Sequence, residues 1–211
     1  ETGVATSIGQ HQGRVDQIGL SSDGRIAVTG GTDNSTFRVW DTLGATGITP
    51  EIGLGDGPLG VALSIDDQSP FVAGNSSVRV YRQSPNAAGW QLADFTDPIM
   101  TVSGRAPLVA CPDDANCAYF RAADDSGDIV LWDFAAGEER LRFPATPMPG
   151  DGVTDIEGLA VAADGSRLLT RNQAFDLFVW DAHTAELLQQ FNANVEPFIA
   201  AVAISPDGRT A

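Results

Sequence analysis

The sequence predicts an all-β protein made of repeated units of four short antiparallel strands. Three observations lead to this prediction. Apolar segments of about four to seven residues alternate with turns rich in Asp, Gly and Ser. No segment carries the apolar stripe of a helix. The same order of features returns about every 40 to 50 residues, as in repeat architectures that stack one supersecondary unit many times.

Two sequence marks keep a nearly constant distance in every unit. The first mark is a strand that ends in an aromatic residue, and its copies are Trp40-Asp41, Tyr81-Arg82, Trp132-Asp133 and Trp180-Asp181. The second mark is an acidic turn about 15 to 19 residues earlier, with copies at Asp23, Asp66, Asp113 and Asp164. Because two independent marks stay in phase, the units are genuine repeats.

The first unit shows how the elements follow from the residues. We expect its strands at 15–20, 25–30, 36–41 and 46–52, with a tight turn at "SSDG" between the first two strands. Asp-Gly supplies the positive φ and the side-chain cap that such a turn needs. The unit boundaries predicted in this way are 11–52, 57–95, 105–143 and 155–191, followed by a partial unit at 197–211.

The turns "SSDG", "AADG" and "SPDG" and the strands "FRVWD", "IVLWD" and "LFVWD" together resemble the WD-repeat family. Membership would imply a β-propeller, in which each unit is a four-stranded blade and the blades stand radially around a channel. About four and a half blades are recognisable. The resemblance therefore implies part of a larger ring, most simply seven-bladed, with residues 1–9 as the outer strand of a preceding or closing blade.

The resemblance also implies a hydrogen-bonded set inside a blade. In the first unit this set corresponds to His11, Thr29, Asp33 and Trp40. Such a network would satisfy buried polar groups and join the strands of the blade. We therefore expect His11 to be structural, and we expect structural roles also for Asp41, Trp132, Asp133, Trp180 and Asp181.

Charge limits the class of partner. The chain has 28 acidic and 12 basic residues, every basic one an arginine, and a net charge of −16. An acidic surface repels phosphate, so we expect no nucleic-acid partner, and no apolar run is long enough for membrane insertion. The composition is also typical of high-GC bacterial genomes, which favours a cytoplasmic protein of such a bacterium.

An extracellular location is the alternative, and two features keep it open. Cys111 and Cys117 in "CPDDANC" could form a disulfide across a hairpin, or could be two free thiols at strand ends. The triplets that begin at Asn34 and Asn75 are glycosylation sequons.

No motif for catalysis, phosphate binding or metal binding has the required pattern. There is no nucleophile elbow, and His183 lies in a turn that follows a strand. The acidic run 124–128 is at a hairpin position, so we interpret it as a turn and not as a calcium loop. We therefore expect no catalytic residue, no cofactor and no metal.

The leading hypothesis is a non-enzymatic platform or scaffold for a protein or peptide partner, for example as the sensor module of a larger signalling protein. The analogy with WD-repeat arrays supports it by association alone. Candidate contacts on the strand two–three turns are Asn34, Arg171 and Phe175, with Phe175 either an anchor or folded back on its blade. Two alternatives are a ligand-binding or enzymatic propeller that uses the channel mouth, and a structural arc that assembles with another chain carrying the remaining blades.

Overall fold

A computed structural model describes most of the chain. The described residues are 7–21, 23–31, 35–44, 46–49, 52–53, 60–66, 69–74, 78–83, 90–92, 107–122, 126–144, 156–191 and 201–211. In these residues the secondary structure is β-strand and turn, and the prediction of an all-β protein is confirmed.

The strands form four antiparallel sheets in chain order. The strands of the first sheet are β1 (Val15–Leu20), β2 (Ile26–Gly31), β3 (Thr36–Asp41), β4 (Thr46–Gly47) and β5 (Ile52–Gly53). Those of the second sheet are β6 (Gly60–Leu63), β7 (Pro70–Ala73), β8 (Val78–Gln83) and β9 (Trp90–Leu92). Each of these two sheets begins with a β-hairpin whose turn is acidic, as the sequence predicts.

The third and fourth sheets repeat this plan. The strands of the third sheet are β10 (Leu108–Ala110), β11 (Cys117–Arg121), β12 (Ile129–Asp133) and β13 (Glu138–Phe143). Those of the fourth sheet are β14 (Ile156–Val161), β15 (Arg167–Asn172), β16 (Leu177–Asp181) and β17 (Leu187–Phe191). In the second, third and fourth sheets the strands pair in sequence order. In the first sheet β1 to β4 pair in order and β5 pairs with β3, and none of the described sheets closes into a ring.

The first sheet differs from the prediction at its outer edge. The single strand expected at 46–52 is replaced by two short strands, β4 and β5, which both pair with β3. Between them Thr49 makes an irregular contact, because its hydroxyl accepts a hydrogen bond from the Val39 amide and its own amide donates to the Val39 carbonyl. A side chain that replaces a ladder hydrogen bond interrupts regular pairing.

The sheets stack face to face in chain order, and their first strands are neighbours: β1 contacts β6, β6 contacts β10, and β10 contacts β14. We call the face of a sheet that is turned to the preceding sheet its backward face, and the other its forward face. Three apolar clusters fill the spaces between successive sheets. The largest side chains in them include Phe37, Phe71, Phe120, Phe143 and Trp180, all almost fully buried.

The hairpin turns adopt the geometry that Asp-Gly favours. Gly24, Gly165 and Gly208 have φ of 72°, 71° and 68°, in the left-handed region that residues with a Cβ rarely adopt. In the turn of the first sheet the Ser21 hydroxyl donates to the Asp23 carboxylate at 2.8 Å. The turn at Ser205–Gly208 has the same serine–aspartate bond, from Ser205 to Asp207, at 2.7 Å.

Candidate functional site: end faces of the sheet stack

Thr29 is the centre of a hydrogen-bonded group on the backward face of the first sheet. Its hydroxyl oxygen accepts a hydrogen bond from Trp40 Nε1 at 2.7 Å and lies 2.6 Å from His11 Nε2. The resemblance placed these three residues in one network, and the structure brings them together. Asp33, the fourth expected member, lies outside the described residues.

The same arrangement recurs where the sequence has the same residues. In the fourth sheet Trp180 Nε1 donates to the Thr170 hydroxyl at 3.0 Å. In the third sheet the position of this threonine is taken by Phe120, and Trp132 Nε1 is buried without a hydrogen-bond partner among the described residues. The third unit therefore relies on apolar packing at this position.

The aspartate after each tryptophan stabilises the next turn. The Asp41 carboxylate accepts hydrogen bonds from the amides of Leu43 and Gly44, both at 2.9 Å. Asp133 and Asp181 accept two amide hydrogen bonds each from the corresponding residues of their turns. Each carboxylate thus caps the turn between the third and fourth strands, as side-chain oxygens of Asp commonly do.

The Asp133 cap also belongs to an ion-pair group. Arg140 on β13 donates to the carboxylates of Asp133 and Asp114. The hydrogen bond from the backbone amide of Ala136 is the main cause that holds the pKa of Asp133 below its ordinary value of 3.8. The hydrogen bond from Arg140 lowers this pKa further. The amide of Asn116, together with Arg140, lowers the pKa of Asp114 in the same way.

These lowered pKa values predict a loss of stability in acid. A carboxylate whose pKa is lower in the folded state stabilises the fold above its unfolded pKa, and this contribution disappears as the pH falls through the folded pKa. We expect the urea midpoint to be constant near neutrality and to fall below about pH 4. In Asp133→Asn, which keeps a cap oxygen but loses the charge, the fall between pH 5 and pH 3 should be smaller than in the unsubstituted protein. An equal fall in both proteins would contradict the assignment.

The two cysteines lie at the mouth of the hairpin between β10 and β11. In the structure Cys111 and Cys117 form a disulfide, with their Cα atoms 5.4 Å apart, and both residues are buried. The bridge crosses the turn that also holds Asp114 of the ion-pair group. The two cysteines therefore have a structural position in the third sheet.

The three residues suggested as partner contacts have different outcomes. Asn34 lies outside the described residues. Arg171 is only 2% exposed, since it lies within β15 and pairs with Glu157 at 3.0 Å, so it cannot serve as an exposed contact. Phe175 is half-buried, has φ of 66°, and its ring lies 5.5 Å from the Arg171 guanidinium carbon, which shows that it folds towards its own sheet.

One register position shows that the first sheet has an open backward face. On the first strand of each sheet, the residue that pairs with Thr29, or with its equivalent on the second strand, is apolar. These residues are Ile18, Val61, Leu108 and Leu159. The last three are 6%, 7% and 9% exposed because each packs on the preceding sheet, whereas Ile18 is 67% exposed. Leu20, which shares its face, is 59% exposed.

Residues 7–11 cover only another part of this backward face. Gly9 lies so close to the Trp40 ring that a Cβ at this position would overlap it. The His11 ring lies 5.8 Å from the Trp40 ring, and the Arg38 guanidinium stacks on the same tryptophan at 4.3 Å. Ile18 and Leu20 therefore remain accessible beside a covered tryptophan.

The forward face of the fourth sheet is open in an equivalent way. Phe143 and Phe191 occupy the same register position on β13 and β17, opposite Ile129 and Leu177 respectively. Phe143 is fully buried by the fourth sheet, whereas Phe191 is 45% exposed. Beside Phe191 a cleft of about 440 Å³ runs between the fourth sheet and residues 201–211.

The sequence indicated the repeat but not these two faces. Ile18 and Phe191 belong to no sequence motif. Their exposure is unusual only in comparison with the residues at the same register position in other sheets, which are buried. Within the described part of the chain, no group of three or more His, Cys, Asp or Glu side chains is placed to hold a metal ion. That part likewise contains no helix with the length and hydropathy needed to cross a membrane.

Comparison with known proteins adds no family. None of the protein-family models matches the chain, and none of the curated proteins compared with it does so either.

Proposed function

We propose that this chain is part of a WD-repeat β-propeller that acts as a non-enzymatic platform for a protein partner. The repeated four-stranded sheets, the stacked order of their first strands and the two Thr–Trp hydrogen bonds support the family assignment. The observation on which the binding proposal rests is the exposure of Ile18, because each of its three equivalents is buried by a neighbouring sheet. A further sheet of the same protein or a protein partner would bury Ile18 in the same way. An exposed apolar patch of this kind is typical of a protein-binding surface.

Charge at this face is compatible with protein binding. Asp16 and Asp23 are the acidic residues closest in sequence to Ile18 and Leu20. The Asp16 carboxylate lies 2.6 Å from Arg14 Nε, and the Asp23 carboxylate lies 3.7 Å from Arg25 Nε. The acidic residues closest in sequence to this apolar patch are therefore paired with arginines. Apolar centres with polar rims are the usual anatomy of protein interfaces.

The experiment uses a photo-crosslinking amino acid at position 18, with position 43 as the matched control, in the cells that produce the protein. Leu43 is 71% exposed but lies in the turn after β3, away from the sheet face. We expect a specific protein to crosslink at position 18 and not at position 43. The purified partner should bind Ile18→Asp at least about tenfold more weakly than the unsubstituted chain.

The same binding measurement includes its own controls. Leu43→Asp should bind the partner with unchanged affinity, and both variants should unfold within about 0.5 kcal/mol of the unsubstituted chain, because both positions are exposed. Equal crosslinking at the two positions, or unchanged affinity of Ile18→Asp, would refute the proposal.

Assembly with another chain is a second candidate, favoured by the same face. Ile18 has the register of a residue that packs on a preceding sheet, so a partner made of similar sheets would fit it. A crosslinked partner that itself contains four-stranded repeats would support assembly, and a partner without them would support the platform function.

A further inference from the structure

A second cleft lies between the third and fourth sheets, at the end of the stack where their hairpin turns stand. Its volume of about 240 Å³ is below the range of about 300–1,000 Å³ that is typical of sites for drug-sized molecules, so it can hold one long side chain. Its apolar walls and charged rim include Tyr119, Leu131, Leu141, Ala182, Asp113 and Arg140. The turns that surround it all belong to the described residues, at 111–117, 133–138, 162–167 and 181–187. Its opening is therefore a feature of the contact between two neighbouring sheets.

The cleft exists because a cysteine replaces a long side chain. Gly165 and Gly208 have the same place in their hairpin turns, and at Gly208 the Arg167 side chain fills the adjacent space, with its Cγ only 2.7 Å from the position of a Cβ. Cys117 has the same register position on β11 as Arg167 has on β15. Because Cys117 is short and held in the disulfide, the space beside Gly165 that corresponds to this arginine stem is open.

A carboxylate without a partner stands at the rim of this cleft. The Asp113 carboxylate forms no hydrogen bond or ion pair with another described residue, and its Oδ2 lies 4.0 Å from the position of a Cβ at Gly165. In the equivalent turns at Asp23 and Asp207, the carboxylate accepts a hydrogen bond from a serine hydroxyl, at 2.8 Å and 2.7 Å. Cys111 takes the place of that serine, so Asp113 lacks the usual partner within its turn.

A buried phenol lines the same cleft. Tyr119 is 4% exposed, and its hydroxyl forms no hydrogen bond with another described residue. Burial, and after it the negative charge of Asp113, raises the pKa of Tyr119 to about 12, whereas Arg140 has a smaller and opposite effect. The hydroxyl is therefore neutral near pH 7, and at Tyr119 the field of Asp113 outweighs that of Arg140.

Arg140 on the rim is already engaged by two carboxylates. Its Nε donates to Asp133 at 3.0 Å and its Nη2 donates to Asp114 at 2.7 Å. Its charge is thus balanced within the third sheet, and the carboxylate of Asp113 is the unbalanced charge at the rim. The net charge of −16 also attracts cationic segments over longer distances. The cleft therefore favours a cation over an anion.

We propose that this cleft binds an arginine side chain of a partner protein. The aliphatic stem packs against Leu131 and Leu141, and the guanidinium donates hydrogen bonds to the Asp113 carboxylate and the Tyr119 hydroxyl. Arginine suits the site better than lysine, because its planar fork can donate to two acceptors at once and is more weakly hydrated than an ammonium. The arginine belongs to a protein and not to a free amino acid, because the rim arginine is not available to pair with an α-carboxylate. The inference rests on the proposed platform function and identifies one side chain that the partner supplies.

The test titrates the isotope-labelled intact chain with N-acetyl-arginine amide and follows the backbone amide signals by NMR. We expect saturable shifts at Gly165, Ala182 and His183, with a Kd in the millimolar range because the probe is a single side chain. N-acetyl-citrulline amide has nearly the same shape without the charge, and it should bind at least about tenfold more weakly.

Two substitutions test the assigned acceptors. Asp113→Asn should weaken binding of the arginine probe about tenfold, because it removes the unbalanced charge. Asp23→Asn is the matched control, since it removes the same charge from the equivalent turn of the first sheet and should leave the affinity unchanged. Tyr119→Phe keeps the ring and should weaken binding about threefold or more. Unchanged amide signals away from the cleft show that each variant retains its fold.

Three results would each overturn the inference. They are the absence of saturable shifts, equal weakening by Asp113→Asn and Asp23→Asn, and tighter binding of free arginine than of the blocked amide. The platform function is tested separately by crosslinking at Ile18, and the NMR titration requires no identified partner. Either proposal can therefore fail without the other.

Discussion

Replacement of Thr29 by valine should lower the free energy of unfolding by about 1–3 kcal/mol. The hydroxyl of Thr29 accepts the Trp40 indole hydrogen bond and contacts His11 Nε2, and Thr29 and Trp40 are buried. Valine has nearly the same shape but cannot accept a hydrogen bond, so the buried indole N–H loses its partner. An unsatisfied buried donor costs more than the net value of the hydrogen bond itself.

Urea unfolding of a small series tests this expectation. Thr29→Ser keeps the hydroxyl and should lose much less stability than Thr29→Val, while Thr210→Val, at an exposed threonine, should be close to neutral. In Trp40→Phe the donor is absent, so adding Thr29→Val should cost less than it does beside Trp40. If the two valine substitutions at 29 and 210 had equal effects, the network would not hold the first sheet together.

Replacement of Phe143 by alanine should cost about 3–5 kcal/mol. Phe143 is fully buried between the third and fourth sheets, and its ring lies 5.9 Å from Tyr119 and 6.3 Å from Trp180. Truncation removes apolar contact area and leaves a cavity between two β-sheets. The cavity cannot close fully, because backbone hydrogen bonds hold the strands of each sheet in place.

Phe191→Ala is the matched control, because Phe191 has the same register position on its own sheet. With 45% of its surface exposed and no further sheet over it among the described residues, its truncation should cost less than about 1 kcal/mol. Thermal and urea unfolding of both variants measure the difference. Similar losses at the two positions would mean that the forward face of the fourth sheet is covered as fully as that of the third.

Much of the fold follows from local sequence. Alternating apolar residues and Asp-Gly turns predicted the strands, and the first three strands of the first unit lie within one residue of their predicted limits. The fourth was predicted as one strand and is two, because the Thr49 side chain replaces a ladder hydrogen bond to Val39. A competing side-chain contact of this kind leaves no periodic signal in the sequence.

The candidate contacts were less predictable. Arg171 was placed in a turn by its polar neighbours, but the strand continues through it, and the Glu157 carboxylate pairs with its buried guanidinium. Nothing in the sequence distinguishes Ile18 and Phe191 from core residues, because an apolar residue in a strand is the ordinary case. Their exposure became visible only by comparison with residues at the same register in other sheets.

The sequence by itself determined most of the strands, the turns and the repeat, because these depend on residues close in the chain. The family resemblance implied the pair of Thr29 and Trp40, which lie diagonally across two paired strands. The tertiary structure alone decided which copy of an equivalent side chain is buried. Val61, Leu108 and Leu159 are covered by a preceding sheet and Ile18 is not, although all four are apolar residues in the same strand position. Burial depends on which sheet stands opposite, and that contact joins residues far apart in the chain.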